Sequence, residues 1–389
     1  MAEPRPGSKE DVVRPLLEEV RESRKKYGVA LVGLGRSGNF HLTSIKSMPE
    51  LTKLLWAIDV NEEVAKKVAA ESGAKWATSL DQVLDDPAVD IVIIASTTDT
   101  HFSFIMRSLK ANKAIFAEKP ISHEVREVQE AVDLAKSKDL PFVCGYQRRS
   151  DLNFRTLKKQ LEAGAIGELR VVKSCSRDNP VPPIEYLRTS GGIFQDMLIH
   201  DFDMQEWLTS GELPESVVAV GHCFDPEIKK IKDLDTVAVL IKYKSGICAM
   251  IDTCRDAAYG YDQRVEAFGS KGMLTAKNEM TSGVELATVE GHLMPPAMWS
   301  FPQRYKHAYF VELSEFVALV DAGKGSDAHK LEQKEMMRHP RVVRTATCAE
   351  YSWKLGRQVL LSEDLAMLEK ELKAKEAGEP AAKKSRTEC

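Results

Sequence analysis

The stretch Val29-Ala30-Leu31-Val32-Gly33-Leu34-Gly35-Arg36-Ser37-Gly38 determines the fold that we expect for this chain. Its apolar first half predicts a short buried strand, and the three glycines that follow have the spacing G-x-G-x-x-G. The first glycine permits a tight turn, the second lets the backbone approach a pyrophosphate, and the third lets a helix pack close to the strand. The helix N-terminus would then face the anion. The stretch therefore predicts a dinucleotide-binding turn from a strand into a helix.

A carboxylate after the next predicted strand indicates which dinucleotide is bound. Asp59 lies 21 residues beyond Gly38, where its side chain can bind both ribose hydroxyls of an adenosine and would repel a 2′-phosphate. Neither Val60 nor Asn61 offers an arginine to compensate. NAD is therefore favoured over NADP. The alternative is a glycine turn in a Rossmann-like domain that binds no ligand.

The pattern of apolar runs divides the chain into two regions of different structural class. Short runs alternate with helical stretches over the first part, which predicts a Rossmann-type, doubly wound parallel sheet. The predicted strands there are Val29–Gly33, Leu54–Val60, Ile91–Ala95, Lys113–Ala117 and Pro141–Cys144. After Gly145, strands separated by tight turns predict an α+β region with an antiparallel meander. Its predicted strands are Leu169–Arg177, Ser216–Cys223, Thr236–Tyr243, Cys248–Arg255, Gln263–Gly269 and Gly272–Ala276.

We expect four regions along the chain, including extensions at both ends. They are an N-terminal extension over 1–25 with a short helix from Asp11 to Lys25, a NAD-binding Rossmann domain over 26–146, a substrate and oligomerisation domain over 147–366, and a charged tail over 367–389. Long helices are predicted around Tyr305–Val320 and near Cys348–Leu372. Residues 323–345 are rich in Lys, His and Arg, which predicts an exposed loop or linker.

Composition excludes several classes of function. Lys and Arg number 54 against 58 Asp and Glu, a net charge of −4, which argues against a nucleic-acid binder. The longest apolar runs fall far short of the ~20 residues that span a bilayer. The seven cysteines form no C-x-x-C pair, which is typical of reduced thiols and predicts a cytoplasmic protein. The basic tail residues Lys383, Lys384 and Arg386 could form a nuclear signal, but a solvated tail is the favoured interpretation.

Two further groups of residues could perform chemistry. Lys119 follows a predicted strand, where its charge could bind the oxygen of a reacting alcohol and favour a developing alkoxide. Asp196 and His200 are four residues apart and share one face if their segment is helical. A carboxylate beside an imidazole raises its basicity, which suits a general base. The alternatives are a surface lysine, capping carboxylates, or metal ligands, although no third ligand occurs at a convincing spacing.

These residues resemble the Gfo/Idh/MocA oxidoreductases, and among them the inositol 2-dehydrogenases, over roughly residues 27–320. The matching motifs occur in the family's order. They are Gly33, Gly35, Arg36, Gly38 and His41, the loop Ser96-Thr97-Thr98-Asp99-Thr100-His101, Glu118-Lys119-Pro120, Gly145-Tyr146-Gln147-Arg148-Arg149, the block Gly191–Asp201, and Tyr259-Gly260-Tyr261-Asp262-Gln263-Arg264-Val265-Glu266 with Arg304, Tyr305 and Tyr309.

The resemblance implies roles for individual residues. Lys119, Asp196 and His200 would form a catalytic trio, with His200 as general base, Asp196 orienting it and Lys119 binding the reacting oxygen. Cofactor contacts are expected from Gly33, Gly35, Arg36, Gly38, Asp59, Ser96, Thr97, Thr98, His101, Glu118, Lys119 and Gln147. Contacts to polyol hydroxyls are expected from Arg149, Asp178, Tyr259 and Tyr309, and no metal is expected. The resemblance also implies an open, mostly antiparallel second sheet and a homodimer or homotetramer.

The chain departs from the family pattern at two places. Thr98 stands where many members have a proline, and residues 326–344 lack the acid–glycine step common in inositol dehydrogenases. The expected function is NAD-dependent oxidation of a cyclic polyol, with myo-inositol going to the 2-ketone as the best single substrate. The alternatives are a dehydrogenase of scyllo-inositol or an aldose, or a dinucleotide-binding regulator without turnover.

Overall fold

The computed structural model describes residues 25–377, so the C-terminal end of the expected tail lies outside the described residues. The same is true of the expected N-terminal helix apart from Lys25. Within the described range the chain forms two compact units. The first contains residues 25–163 and 298–343, and the second contains residues 164–297 and 344–377.

The first unit is built on a six-stranded parallel sheet. Its strands are β1 (Tyr27–Val32), β2 (Thr52–Ile58), β3 (Lys75–Ala77), β4 (Ile91–Ile94), β5 (Ala114–Glu118) and β6 (Phe142–Gly145). The spatial order is β3-β2-β1-β4-β5-β6, and every neighbouring pair is parallel. The order reverses between β1 and β4, which is the switch point where such sheets bind ligands. This confirms the predicted doubly wound sheet and adds β3, a strand too short to be recognised by its pattern.

Helices alternate with these strands. They are α1 (Arg36–Lys46), α2 (Glu62–Ser72), α3 (Asp81–Leu84), α4 (Thr98–Lys110), α5 (Val125–Ser137), a 3₁₀ helix over Gln147–Ser150, and α6 (Leu152–Glu162). Local signals fix their ends. Asn61 caps α2 by accepting hydrogen bonds from the Glu63 and Val64 amides, and Gly73 ends that helix with a left-handed φ of 62°, a conformation that glycine adopts without steric cost.

The first unit is completed by residues far along the chain. They form α11 (Phe301–Arg304), α12 (Lys306–Ala322), α13 (Asp327–Met336) and the beginning of α14 (His339–Leu355). Phe316 of α12 is buried in the same core as Leu31 and Phe116. Arg304 is buried and donates to both carboxylate oxygens of Asp151. The compact unit is therefore larger than the expected Rossmann domain of residues 26–146, because residues 298–343 contribute to its core.

The expected loop over residues 323–345 is helical. Ser326 caps α13 by accepting a hydrogen bond from the His329 amide. The ring of His329 is buried with Nε2 2.9 Å from Asp139 Oδ1. Basic composition favours solvent exposure, but contact with Asp139 accompanies burial of the His329 ring within the first unit, and composition does not indicate such a partner.

The second unit carries a mixed, mostly antiparallel sheet, as expected. Its strands are β7 (Leu169–Arg177), β8 (Pro214–His222), β9 (Thr236–Tyr243), β10 (Cys248–Cys254), β11 (Asp262–Gly269), β12 (Met273–Ala276) and β15 (Val359–Leu360). Their order is β12-β11-β7-β10-β9-β8-β15, and the β7–β10 pair is parallel. A separate hairpin contains β13 (Leu286–Thr288) and β14 (Gly291–Leu293).

Short helices complete the second unit. They are α7 (Ile184–Leu187), α8 (Gly192–Asp196), α9 (Ile199–Leu208), α10 (Pro226–Lys230) and α15 (Leu365–Glu376). Buried polar contacts fix α9 against β7: Ser176 donates to Asp201 at 2.6 Å, and Gln205 donates to Ser174 at 2.9 Å. No helix in the described part of the chain combines the length and apolarity needed to cross a membrane.

The predicted helix near Cys348–Leu372 is wrong as a single element. The chain leaves α14 after Leu355 at Gly356, whose φ is +71°, a conformation that terminates helices. The next residues form β15, which pairs with β8. A new helix, α15, then begins after Asp364, which accepts a hydrogen bond from the Ala366 amide. The region expected as a tail from residue 367 is therefore helical as far as Glu376.

Candidate active site

The three glycines of the first turn have different surroundings. A Cβ on Gly33 would lie 2.5 Å from the Ala95 oxygen, and a Cβ on Gly38 would lie 2.0 Å from the Gly33 oxygen. Gly33 also has a φ of +85°. A Cβ on Gly35, by contrast, would meet no atom within 4 Å. The first and third glycines are therefore needed for the fold, and the second leaves open space where a ligand can approach the backbone.

The start of α1 offers hydrogen-bond donors to such a ligand. Gly35 occupies the N-cap position, no side chain caps the helix, and no acidic residue lies in its first turn. The first amides of a helix point outward and carry a partial positive charge. The first turn also includes Arg36, whose guanidinium lies 4.6 Å from the centre of the Phe301 ring. This end of α1 fits a pyrophosphate.

Asp59 lies beside the same turn. Its Oδ2 accepts a hydrogen bond from the Leu34 amide at 2.9 Å, and its Oδ1 accepts one from the Asn61 amide at 2.9 Å. These bonds fix the carboxylate at the end of β2 and leave further lone pairs on both oxygens. The neighbouring Val60 is 91% exposed and brings no positive charge. The arrangement fits the two hydroxyls of an adenosine ribose, so the residues of this turn fit NAD.

The loop after β4 is stabilised by a hydrogen bond between two of its own side chains. The Ser96 and Thr100 hydroxyl oxygens are 2.7 Å apart, and α4 begins at Thr98 with Thr97 as its N-cap. Thr98 is thus the first residue of the helix, the position where proline is most readily accepted. The departure from the family pattern at Thr98 therefore requires no change of backbone conformation.

His101 joins this loop to the loop of Lys119. Its Nδ1 lies 2.8 Å from the Pro120 oxygen and its Nε2 lies 3.1 Å from the Ser96 oxygen. Burial lowers the pKa of His101, although both backbone contacts oppose that effect. His101 was predicted as a cofactor contact, whereas its two ring nitrogens face backbone of the protein itself.

A buried pair links the strand before Lys119 to helix α1. Glu118 is the last residue of β5, and its Oε1 lies 2.7 Å from Nε2 of His41, which is fully buried. His41 and Glu118 each belong to a predicted motif, but no sequence pattern indicated that they touch. Their contact anchors the β5 end from which Lys119 follows.

The remaining predicted contacts in the first unit lie around β6 and α12. Gln147 is buried in the 3₁₀ helix after β6. Arg149, in the same helix, is ion-paired with Glu335 at 3.0 Å. Tyr309 is buried, and its ring stacks on Phe40 with centroids 4.9 Å apart. Arg149 therefore has a protein partner that the sequence did not indicate.

The second unit holds the other two residues of the predicted trio. Asp196 ends α8 and His200 lies in the first turn of α9. Met197 and Leu198 separate the two helices, and their amides both donate to the Ile193 oxygen. The condition under which Asp196 and His200 would share one helix face, a continuous helix through both, is therefore not met. Among the described residues, no group of three or more His, Cys, Asp and Glu side chains is arranged to hold a metal ion.

Asp196 is held by donors that sequence analysis missed. Its Oδ1 accepts a hydrogen bond from the Tyr186 hydroxyl at 2.6 Å, and its Oδ2 accepts one from Nη1 of Arg255 at 3.1 Å. Arg255 is completely buried and also donates to Asp233 at 3.1 Å. Burial disfavours the charged guanidinium, but the Asp196 and Asp233 carboxylates outweigh it and raise the pKa of Arg255.

The two predicted substrate contacts of the second unit are placed differently. Asp178 follows β7, and its backbone pairs with Cys254 and Ala257. Tyr259 is 54% exposed, donates to Asp262 at 2.6 Å and accepts from Arg177 at 3.0 Å. The phenol of Tyr259 therefore takes part in a polar cluster of the second sheet.

Comparison with known proteins identifies the family. Residues 27–146 match the model of an oxidoreductase family with an NAD-binding Rossmann fold, and residues 154–275 match the Gfo/Idh/MocA C-terminal domain. The chain belongs to the Gfo/Idh/MocA oxidoreductase family. The predicted family, the Rossmann fold, the NAD cofactor and the dehydrogenase class are confirmed.

Relatives of this Gfo/Idh/MocA protein include inositol dehydrogenases. The chain is 38% identical to a myo-inositol 2-dehydrogenase of Thermotoga maritima over 299 residues, which are 76% of this chain and 89% of the relative. It is 32% identical to the NAD(+)-dependent scyllo-inositol 2-dehydrogenase of Bacillus subtilis, covering 76% and 86%. The structure of a Lactobacillus casei scyllo-inositol dehydrogenase with NAD(H) and scyllo-inositol superimposes with a TM-score of 0.79 at 27% identity, covering 87% and 100%.

Gly38→Ala and Gly35→Ala form a matched test of the glycine turn. The new methyl of Gly38→Ala would collide with the Gly33 oxygen, so we expect the free energy of unfolding to fall by about 1–3 kcal/mol. Gly35→Ala has open space and a φ of −72°, so stability should change by less than ~0.5 kcal/mol. Its affinity for NAD should nevertheless fall roughly tenfold or more, or about 1.4 kcal/mol. Thermal unfolding and NAD titration by tryptophan fluorescence measure the two effects, and unchanged NAD affinity in Gly35→Ala would contradict this assignment.

Proposed function

We propose that the protein oxidises a cyclic polyol to a ketone with NAD, and that myo-inositol, oxidised at the 2-position, is its substrate. The support is a relative named for that reaction that shares 38% of residues over most of both chains. The alternatives are scyllo-inositol, which another relative's name gives as its substrate, an aldose, or a regulator that binds NAD without turnover.

In this reaction the carbinol carbon loses a hydride and its hydroxyl loses a proton, which leaves a ketone. NAD, when bound, accepts the hydride. We assign proton removal to His200, because an imidazole titrates near neutral pH. Asp196 supplies the negative charge that favours the imidazolium formed in that step. Lys119 binds the reacting oxygen, where its positive charge favours the developing alkoxide.

The cofactor contacts that we propose follow the first unit's geometry. Gly35 and the start of α1 would hold the pyrophosphate, and Asp59 would hold the adenosine ribose. The other proposed contacts are Gly33, Arg36, Gly38, Ser96, Thr97, Thr98, His101, Glu118, Lys119 and Gln147. For Gly33, Gly38, Glu118 and His101 the role is indirect, since their described contacts shape the turn and the two loops.

The proposed polyol contacts are Arg149, Asp178, Tyr259 and Tyr309. A polyol needs several hydrogen-bonding partners, because each hydroxyl left without one costs binding energy. Tyr259 and Arg149 already have protein partners in Asp262 and Glu335. Binding through either of them would therefore exchange or share an existing hydrogen bond.

Lys119→Met tests the enzyme hypothesis against the regulator. We expect kcat with NAD and myo-inositol to fall about 10²–10³-fold, the usual effect of removing a group that stabilises a developing oxyanion. NAD affinity should fall by less than about tenfold, because Lys119 is only one of many proposed cofactor contacts. Absorbance of reduced nicotinamide measures turnover over a panel of myo-inositol, scyllo-inositol and aldoses. Turnover with another polyol alone would change the substrate and keep the mechanism. NAD binding without turnover on any of them would favour the regulator.

Asp59→Ala tests the source of the NAD preference. Loss of a hydrogen bond to a charged group costs about 1.5–3 kcal/mol, so KM for NAD should rise roughly tenfold or more. Rejection of NADP should weaken at the same time, because no carboxylate repels the 2′-phosphate. Steady-state kinetics with both cofactors measures the ratio of their kcat/KM values. The matched control is Asp99→Ala, on the helix after the β4 loop, which should leave that ratio unchanged.

We also propose that the protein is a homodimer or homotetramer associated through the open face of the second sheet. Leu240 and Met250 lie opposite each other in neighbouring strands and are 53% and 42% exposed. Phe268 lies opposite Met273, with exposures of 43% and 54%. A sheet face exposed to water is normally polar, and a contiguous apolar patch is typical of a protein interface.

Leu240→Lys is expected to dissociate such an oligomer, because it would bury a charge where the interface now buries an apolar side chain. Light scattering coupled to gel filtration measures the mass. Met367→Lys is the matched control: Met367 is also an exposed apolar residue, 71% accessible, but it lies on α15. A wild-type mass equal to one chain of 43.4 kDa would contradict the proposal.

For the cellular location we propose the cytosol. None of the six described cysteines takes part in a disulfide, which is typical of a protein of a reducing compartment. We propose that the first unit binds the cofactor and also carries the polyol contacts Arg149 and Tyr309, while Asp178 and Tyr259 are the polyol contacts of the second.

A further inference from the structure

Arg255 is a charged side chain with no exposed surface. It follows β10 and is the largest of the fully buried side chains in the described part of the chain. A guanidinium in such a place is stable only when carboxylates or other acceptors balance its charge. Two carboxylates do so here: Nη1 lies 3.1 Å from Asp196 Oδ2, and Nη2 lies 3.1 Å from Asp233 Oδ2.

Asp233 connects this pair to the backbone of helix α8. Its Oδ1 accepts a hydrogen bond from the Ile193 amide at 2.9 Å. Helix α8 contains five residues and ends at Asp196. Arg255 and Asp233 therefore fix both ends of α8. Arg255 holds the C-terminal end through the Asp196 side chain, and Asp233 holds the N-terminal end through the Ile193 amide.

The charges around Asp196 come from several elements. Tyr186 donates from α7, Arg255 lies at the end of β10, and Asp233 precedes β9. Asp178, after β7, also acts electrostatically on Arg255. His200 follows in α9. Without the guanidinium, the Asp196 and Asp233 carboxylates would both lose the cation with which they pair.

We propose that Arg255 is a positioning residue of the active site: together with Asp233 it holds Asp196 ionised and oriented for the step in which His200 takes the proton. Arg255 acts through Asp196 and does not touch the substrate. This inference rests on the proposed function, because it assigns to Arg255 a part in the proton transfer.

The sign of the pH effect follows from the charges. Replacing Arg255 by a neutral residue makes the surroundings of Asp196 and His200 more negative, so both groups take up protons more readily. The acidic limb of the kcat profile is the pH range over which kcat falls as the pH is lowered. Each of these two changes moves the acidic limb to higher pH. Replacing Asp233 by a neutral residue removes a negative charge and moves the same limb to lower pH.

The experiment compares Arg255→Gln, Arg255→Lys, Asp233→Asn and the double variant Arg255→Gln/Asp233→Asn. The dependence of kcat on pH, with NAD and myo-inositol as substrates, is measured from about pH 6 to about pH 10, a range that covers imidazole titration. For Arg255→Gln we expect kcat at neutral pH to fall about 100-fold and the acidic limb to rise by about one pH unit or more. Arg255→Lys keeps the charge and should leave the limb in place with a smaller loss of kcat.

Asp233→Asn and the double variant separate an effect of charge on the active site from a loss of folded structure. Asp233→Asn keeps a carbonyl oxygen for the Ile193 amide, so α8 should stay in place while the limb moves to lower pH. The double variant removes one positive and one negative charge, so the net charge is unchanged. Its acidic limb should return towards the wild-type position. A residue that only stabilised the fold would lower the amount of active enzyme without moving the limb in opposite directions.

Thermal unfolding of the same variants keeps the test valid if Arg255→Gln is poorly folded. A pair that is coupled through charge predicts that the double variant melts at a higher temperature than Arg255→Gln alone. If the wild type is active and all limbs coincide, the positioning role is overturned and the proposed function stands. If the wild type is inactive on the whole polyol panel, the proposed function fails and the positioning role fails with it.

Discussion

The close approach of helix α1 to strand β1 is the constraint on which the first unit depends. The contact exists only because position 38 lacks a Cβ, which would otherwise lie 2.0 Å from the Gly33 oxygen. With the helix this close, its uncapped N-terminus faces the end of the sheet where the strand order reverses. The same placement brings His41, one turn further along, against Glu118 at the end of β5. The glycine turn thus positions both the helix end for which we propose pyrophosphate binding and the strand that leads to Lys119.

The sequence predicts those parts of the fold that depend on local signals. The glycine spacing, the alternation of strands and helices, and Asp59 after β2 all follow from short stretches of chain, and strands such as Leu169–Arg177 and Thr236–Tyr243 have the predicted bounds. The carboxyl-end position of Lys119 follows from the same reasoning, because parallel strands share one functional edge.

Features that depend on distant partners could not be predicted. Arg255 and Asp196 are 59 positions apart, and Arg149 and Glu335 are 186 apart, so no periodicity connects them. The basic stretch 323–345 looked solvated because its acidic partners, such as Asp139, lie elsewhere in the chain. The predicted C-terminal helix is too long because a glycine inside an apolar pattern, here Gly356, does not by itself distinguish a helix end from a helix interior.

The return of residues 298–343 to the first unit has a consequence for how the protein is made. Tyr27 donates to Asp321 across 294 positions, and Phe316 belongs to the same core as β1. A ribosome adds roughly 5–20 residues per second, so the nucleotide-binding unit emerges first but must wait for nearly the whole chain before its core closes. During that interval the second unit, which is inserted in the sequence, is synthesised in full except for its last segment. The apolar surface of the first unit that Phe316 covers therefore stays open to water throughout that interval.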